Sequence, residues 1–139
     1  MMRKKKRRWA GATSSCRSKY LHGLRAWAAL SAEEQESIVG RRKLDNFELA
    51  DAAAGRQQSH ESLATIGDGD GGEILRDNMP FGSPGAGEFG TYFVGYAGRL
   101  WVVERMLQRM FVGEPPGLHD RLLDFLEAGY GDGVFCAVL

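Results

Sequence analysis

The chain has 139 residues, enough for one domain with a hydrophobic core. Its 18 basic and 18 acidic residues cancel to a formal net charge of zero, so no general attraction to nucleic acid or to a membrane surface is implied. No apolar run reaches the roughly 18 residues of a spanning helix, and the basic start is not followed by an apolar signal core, so a soluble, unsecreted, cytoplasmic protein is expected.

The first 18 residues do not read as a folded segment. Arg3-Lys4-Lys5-Lys6-Arg7-Arg8 has the composition of a nuclear-localisation or nucleic-acid patch. Nothing downstream supports nucleic-acid binding, and the run is taken as a solvated terminus. From Tyr20 to Leu30, Leu21, Leu24, Trp27, Ala28 and Leu30 recur at helical spacing, with His22 as a packing or surface residue on that helix. Ser31 and Glu34 then form the pattern of a capping box, which opens a second helix to about Val39. Gly40 ends it. Arg41 to Gly55 is polar and irregular apart from Ala52 to Ala54, and runs as a loop toward Ser59-His60.

Gly67 to Gly72 is a glycine-aspartate turn. Asp68 and Asp70 have the spacing that opens a calcium-binding loop, but its remaining ligands are missing. Cys16 and Cys136 lack metal-ligand spacing and suggest neither a zinc site nor a disulfide framework. Glu73 to Met79 alternates as a strand, with Ile74, Arg76 and Asn78 on one face and Pro80 and Gly82 as its stop. Phe89 to Ala97 is the strongest strand, rich in aromatic residues and Val. Leu100, Trp101, Val103, Met106, Leu107, Met110 and Phe111 mark a helix closed by Gly113 and Pro115-Pro116. A short helix from Asp120 to Leu126 and a strand from Val134 to Val138 finish the chain.

Several of these segments together carry a family likeness. Ser59-His60, then Arg76-Asp77-Asn78-Met79-Pro80-Phe81-Gly82, then Gly87-Glu88-Phe89-Gly90-Thr91-Tyr92-Phe93-Val94-Gly95-Tyr96-Ala97 closely resemble the C-terminal half of the DyP-type (dye-decolourising) haem peroxidases. Tyr20 to Trp27, Glu34 to Arg41, Met110 to Gly117 and Asp120 to Phe125 are similar to the family's flanking segments, in the same order. The likeness covers about Lys19 to Leu139, read as a C-terminal haem-binding domain; a complete enzyme of this type resembles two fused ferredoxin-like domains, and the N-terminal one is expected to be absent here. The Gly-x-x-Asp-Gly pattern at Gly67 to Gly71 imitates the family's distal-aspartate signature, which belongs to that other domain, and is taken as chance.

In the family the stretch before Lys19 is an apolar, Val-rich strand. Here Ala12 to Ser18 takes its place, and Val codons read one base late give Ser and Cys, so residues 1–18 are expected to be disordered or frame-damaged. With that segment counted as a degraded first strand, the order is βαββαβ: an α+β, ferredoxin-like antiparallel sheet with helices on one face. Losing two or three Val-sized contacts, at roughly 1.5 to 3 kcal/mol each, would consume much of a typical stability of about 5 to 15 kcal/mol.

A haem peroxidase needs a neutral imidazole on one axial face, made more basic by a hydrogen bond to its second nitrogen. The resemblance makes His60 the metal ligand of haem b. The carboxylate orienting it is sought on the last helix, at Asp120 or Asp124, with Asp124 favoured. On the opposite face the resemblance implies Arg76 and Asn78 as catalytic groups, and Ile74 and Phe93 as lining for the macrocycle alongside Arg76. The implied function is hydrogen-peroxide-driven oxidation of dyes or phenolic compounds, with peroxide and small organic reductants as partners and a homo-oligomer left open. A truncated non-catalytic remnant and a haem-free ferredoxin-like assembly module are the alternatives.

Overall fold

The computed structural model describes residues 11–19, 23–67, 73–128 and 136–138. Strand β1 (Gly11–Lys19) leads through three short helices, α1 (Gly23–Ala28), α2 (Ala32–Val39) and α3 (His60–Ala64), to a long hairpin. Its strands β2 (Ile74–Ser83) and β3 (Glu88–Ala97) are followed by α4 (Leu100–Phe111), a 3₁₀ turn at Arg121–Phe125, and the short strands β4 (Glu127–Ala128) and β5 (Cys136–Val138). The sheet order is β2-β3-β1-β4, with β5 also on β1, and every pairing is antiparallel. This is the expected ferredoxin-like arrangement.

The expectation that residues 12–18 do not fold is corrected. They run inside β1, between β3 on one side and β4 and β5 on the other, in a register from Ala12 opposite Ala97 to Lys19 opposite Gly90. Ladder hydrogen bonds come from the backbone, so an interior position with neighbours on both sides can hold a strand of low apolar content. The sheet thus takes in residues from Gly11 on, ahead of Lys19. Residues 1–10, the predicted start of the first helix with His22, and the turn at 68–72 lie outside the described residues.

Strand β2 also runs past its predicted stop. Pro80 stands opposite Thr91 and Gly82 opposite Phe89. Pro is tolerated here because β2 is at the sheet edge, where a missing N–H need not interrupt a second ladder. Gly82 has φ 137, and a Cβ there would fall 2.2 Å from the Glu88 carbonyl oxygen, so glycine is required for the strands to stay paired.

The capping box at Ser31 forms as the spacing predicts. Its hydroxyl accepts from the Glu34 N–H at 3.2 Å, and the Glu34 carboxylate accepts from the Ser31 N–H at 2.9 Å. The Ser31 N–H, and the Ser31 hydroxyl after it, donate to the Glu34 carboxylate and hold that carboxyl below its usual value. Gly40 then closes α2 with φ 93. The apolar stripe of α4 is buried at Val102, Val103 and Met106; it lies over β3 and β1 and packs against α3, whose Leu63 and Ala64 are buried. Ala97, Val102 and Val103 form the centre of the core, joined by Ile66, Ile74 and Leu107.

Leu63→Ala empties a fully enclosed site and is expected to cost about 2 to 5 kcal/mol. The same truncation at Leu44, 97% exposed, should stay within about 0.5 kcal/mol. Urea unfolding of the two variants against the parent chain reads the difference.

Candidate functional site

His60 is the first residue of α3. Ser59 caps that helix, its hydroxyl accepting from the Ser62 N–H at 3.2 Å. A five-residue helix is too short to show a periodic apolar pattern in the sequence. The turn after α2 presses on the same place: a Cβ on Gly40 would lie 2.5 Å from the Ser59 hydroxyl and 2.9 Å from the Glu61 Cβ. Across from it, the Gln57 amide donates to the His119 carbonyl at 2.8 Å, tying the approach to α3 to the segment after α4.

The carboxylate that meets His60 is Asp120, not Asp124. Nδ1 of His60 lies 2.6 Å from Oδ2 of Asp120, while Oδ1 of Asp120 accepts from the Leu122 N–H at 2.9 Å. Asp120 is completely buried. Asp124 instead meets Nε2 of His119 at 2.7 Å, and both of those side chains are exposed. The expected pairing assumed an α-helix, in which residues four apart share a face. At about three residues per turn, four positions are offset by a third of a revolution. Asp120 is moreover the cap of that turn rather than a member of it. A buried carboxylate with a partner on each oxygen is well suited to hold an imidazole in one tautomer, with the proton on Nδ1 and Nε2 available. Among the described residues, Nε2 of His60 has no hydrogen-bond partner.

Opposite α3 lies one face of the β2–β3 hairpin. Ile74 stands opposite Ala97, Arg76 opposite Gly95, and Asn78 opposite Phe93, so the predicted residues of both strands share this face. Its Ile74–Ala97 end joins the core beneath α4. Toward Asn78, which is exposed, the face is open. Gly95 leaves room for the Phe93 ring, which a Cβ at 95 would approach to 3.3 Å. Between the end of α3 and the start of β2 runs a cleft of about 350 Å³, lined by Ala64, Thr65 and Ile66 on one side and by Glu73, Ile74, Leu75 and Arg76 on the other; of the predicted site residues it takes in Ile74 and Arg76, and not His60, Asn78 or Phe93. Ala64 is one turn on from His60 along the same side of α3. The Arg76 guanidinium is half-buried and makes no hydrogen bond or ion pair among the described residues.

Two charged residues escaped the sequence reading. Glu61, next to His60, receives a hydrogen bond from the Arg41 guanidinium at 3.1 Å, and this bond holds its carboxyl below the usual value, with smaller contributions from the charges of Arg41 and Arg76. No local pattern marks the pair, whose members lie 20 positions apart.

The donor set suits a haem: an imidazole with one nitrogen anchored by a buried carboxylate and the other available, facing a sheet surface that carries a free guanidinium, an amide and an aromatic ring. No group of three or more His, Cys, Asp or Glu suited to hold a bare metal ion occurs among the described residues. No helix among them is long and apolar enough to cross a membrane.

Replacing Asp120 by Ala should cost about 3 kcal/mol, because it removes a buried acceptor of two hydrogen bonds. Asp124→Ala breaks an exposed pair and should cost under about 1 kcal/mol. Equal losses in thermal or urea unfolding would contradict the assignment of Asp120.

Comparison with known proteins shows the family of the chain. Residues 1–138 match the family described as "Dyp-type peroxidase, C-terminal". The dye-decolorizing peroxidase of Mycolicibacterium paratuberculosis is 51% identical over 119 residues, covering 84% of this chain and 33% of the relative. Among solved structures, a dye-decolorizing peroxidase from Bacteroides thetaiotaomicron superposes with TM-score 0.75 at 40% identity, over 86% of this chain and 37% of that one. A variant of DypB from Rhodococcus jostii solved in complex with heme gives TM-score 0.71 at 55% identity, over 86% of this chain and 38% of that one. The chain thus spans about a third of the length of the curated relative. In sequence and in fold, the chain belongs to the C-terminal domain family of the DyP-type peroxidases.

Proposed function

We propose that this chain is the haem-binding part of a peroxidase that uses hydrogen peroxide to oxidise dyes or phenolic compounds. The observation that carries the reading is the 2.6 Å bond between Nδ1 of His60 and the buried Asp120. It leaves Nε2 of His60 available to hold iron, and the family likeness implies Arg76, on β2, at the other face of the macrocycle. Haem b, when bound, supplies the iron redox chemistry; one solved relative carries a heme.

The protein's own groups do the rest. Asp120 keeps the His60 proton on Nδ1 and raises the basicity of Nε2. Ile74 and Phe93 offer apolar surface to the macrocycle. Arg76, permanently charged, stabilises the negative charge that appears as hydrogen peroxide gives up its first proton, and the Asn78 amide holds the peroxide or a water in place. Overall, one hydrogen peroxide takes up two electrons and two protons from two one-electron reductants, such as phenols, and leaves as two waters. A cytoplasmic location belongs to the same reading, as does the origin of the Ser- and Cys-rich β1 in a shifted reading frame. A nucleotide sequence with no apolar strand encoded in any frame across residues 12–18 would end that last idea.

Titration of the full chain with hemin tests the function. A Soret band that His60→Ala abolishes is expected, and Arg76→Leu should keep the band while lowering peroxide turnover by about a hundredfold. Unchanged turnover in Arg76→Leu would refute the role given to that residue. A folded but colourless protein would point to a haem-free ferredoxin-like module, and a colourless, disordered one to a non-catalytic remnant.

A further inference from the structure

The bond between His60 and Asp120 joins residues 60 positions apart, and at 2.6 Å it is at the short end for an N–H donor and a carboxylate. A contact that short is kept only where both backbones are held, because a small drift of either lengthens it. Asp120 is held locally: its N–H donates to the Met110 carbonyl at 2.7 Å, and its Oδ1 accepts from the Leu122 N–H at 2.9 Å. His60 opens a helix of five residues whose own bonds, from the Ser62 N–H to the Ser59 hydroxyl and from the Leu63 N–H to the Ser59 carbonyl, fix its shape but not its distance from Asp120.

Among the described residues, two hydrogen bonds join the stretch from Gln57 to Thr65 to the stretch from Leu118 to Phe125. One is the His60–Asp120 bond itself, and the other runs from Nε2 of Gln57 to the His119 carbonyl at 2.8 Å. Gln57 lies one helical turn's length of chain before His60, and His119 immediately precedes Asp120, so the second bond braces the first. The Gln57 amide is also fixed in direction. Its Nε2 donates as well to the Gln58 carbonyl at 3.1 Å, and two carbonyl oxygens side by side accept only the NH₂ end of the group. The Gln58 side chain accepts from the Ala52 N–H and donates to the Ala52 carbonyl, both at 3.1 Å, which ties the run-up to α3 to the preceding loop. At the far end of α3 the Arg109 guanidinium donates to the Thr65 carbonyl at 2.6 Å. Both ends of the helix are therefore anchored, and Gln57 supplies the anchor to the segment that carries Asp120.

We propose that Gln57 is a positioning residue for the haem site: its amide bridge to the His119 carbonyl sets the separation of the His60 and Asp120 backbones, and with it the strength of the Nδ1–H···Oδ2 bond. What Nε2 then does rests on the peroxidase reading, but the bridge itself needs no haem. An imidazole whose Nδ1–H bond is loosened swings more freely and offers a less basic Nε2, so Gln57 acts on the iron side of the ring without touching it.

The test uses the full chain with Gln57→Met, which keeps the length of the side chain and removes its donors, and Ser31→Ala, which removes the α2 cap and leaves the bridge intact. In chain without haem, the ¹H–¹⁵N signal of the His60 Nδ1–H, assigned by its loss in His60→Gln, is followed by NMR. Gln57→Met should move this proton upfield, as the bond to Asp120 lengthens, and Ser31→Ala should leave it in place. An unmoved signal in folded Gln57→Met overturns the proposal. So does an equal move in Ser31→Ala, which would make the effect a general loosening of the fold. Should Gln57→Met fail to fold by circular dichroism, Gln57→Asn is read in its place. Its amide is a methylene too short for His119, so the same upfield move is expected and its absence overturns the idea. In hemin-loaded chain, Gln57→Met should weaken hemin binding about tenfold and raise the reduction potential of the iron, since less negative charge reaches Nε2. An affinity and a potential equal to the parent's count against the proposal. Failure of the parent chain to take up hemin would defeat the peroxidase reading while leaving the NMR outcome to decide the role of Gln57.

Discussion

A carboxylate with no exposure to water is the constraint around which this domain is arranged. Asp120 is sequestered where an isolated charge would be costly, and it is tolerated because His60 and the Leu122 N–H meet its two oxygens. Those partners come from different parts of the chain. His60 opens α3, and Leu122 lies in the 3₁₀ turn after α4. The Asp120 N–H itself donates to the Met110 carbonyl at 2.7 Å, near the end of α4. Satisfying one buried acid therefore fixes α3, α4 and the following turn relative to one another, and the imidazole is oriented as a consequence.

The sheet completes the site by being covered unevenly. Helix α4 and the exit of α3 close over Ile74 and Ala97, and the same face continues past them as Arg76, Asn78 and Phe93, with no helix over it among the described residues. Burial of Val102, Val103 and Met106 holds the covered end together, and a cleft opens at its margin, where Arg76 joins Thr65 and Ile74. Strand alternation keeps Arg76 and Asn78 on the side facing α3. A one-residue slip of β2 would turn them to the other face and bring Leu75 and Asp77 in. Gly95, directly opposite Arg76, keeps that wall low.

Charge placement also ties distant segments together. The turn after α2 brings Arg41 to Glu61 on α3, while Arg76 makes no ion pair among the described residues. Ser59, Gly40 and Glu61 meet closely enough that a side chain at position 40 would clash with both. The geometry around His60 is thus set by a carboxylate on one flank and an ion pair on the other.

Local patterns in the sequence were enough for the capping box at Ser31 and Glu34, the amphipathic face of α4 and the alternation of β2 and β3, because each depends on residues within a few positions of one another. Family likeness supplied His60, Arg76 and Asn78 as candidates. It could not decide between Asp120 and Asp124, since that choice depends on whether the segment winds at 3.6 or about 3 residues per turn and on which acid comes under α3. Nor could composition show that the Ser- and Cys-rich residues 12–18 take the central place in the sheet, where neighbours on two sides satisfy their backbone. Pro80 marks a strand end in any local reading, yet the edge position of β2 removes the reason for one. Short-range periodicity is written in the chain itself; which buried acid finds which imidazole, and which strand lies at an edge, are settled only when distant segments pack, because burial and pairing belong to the assembled domain.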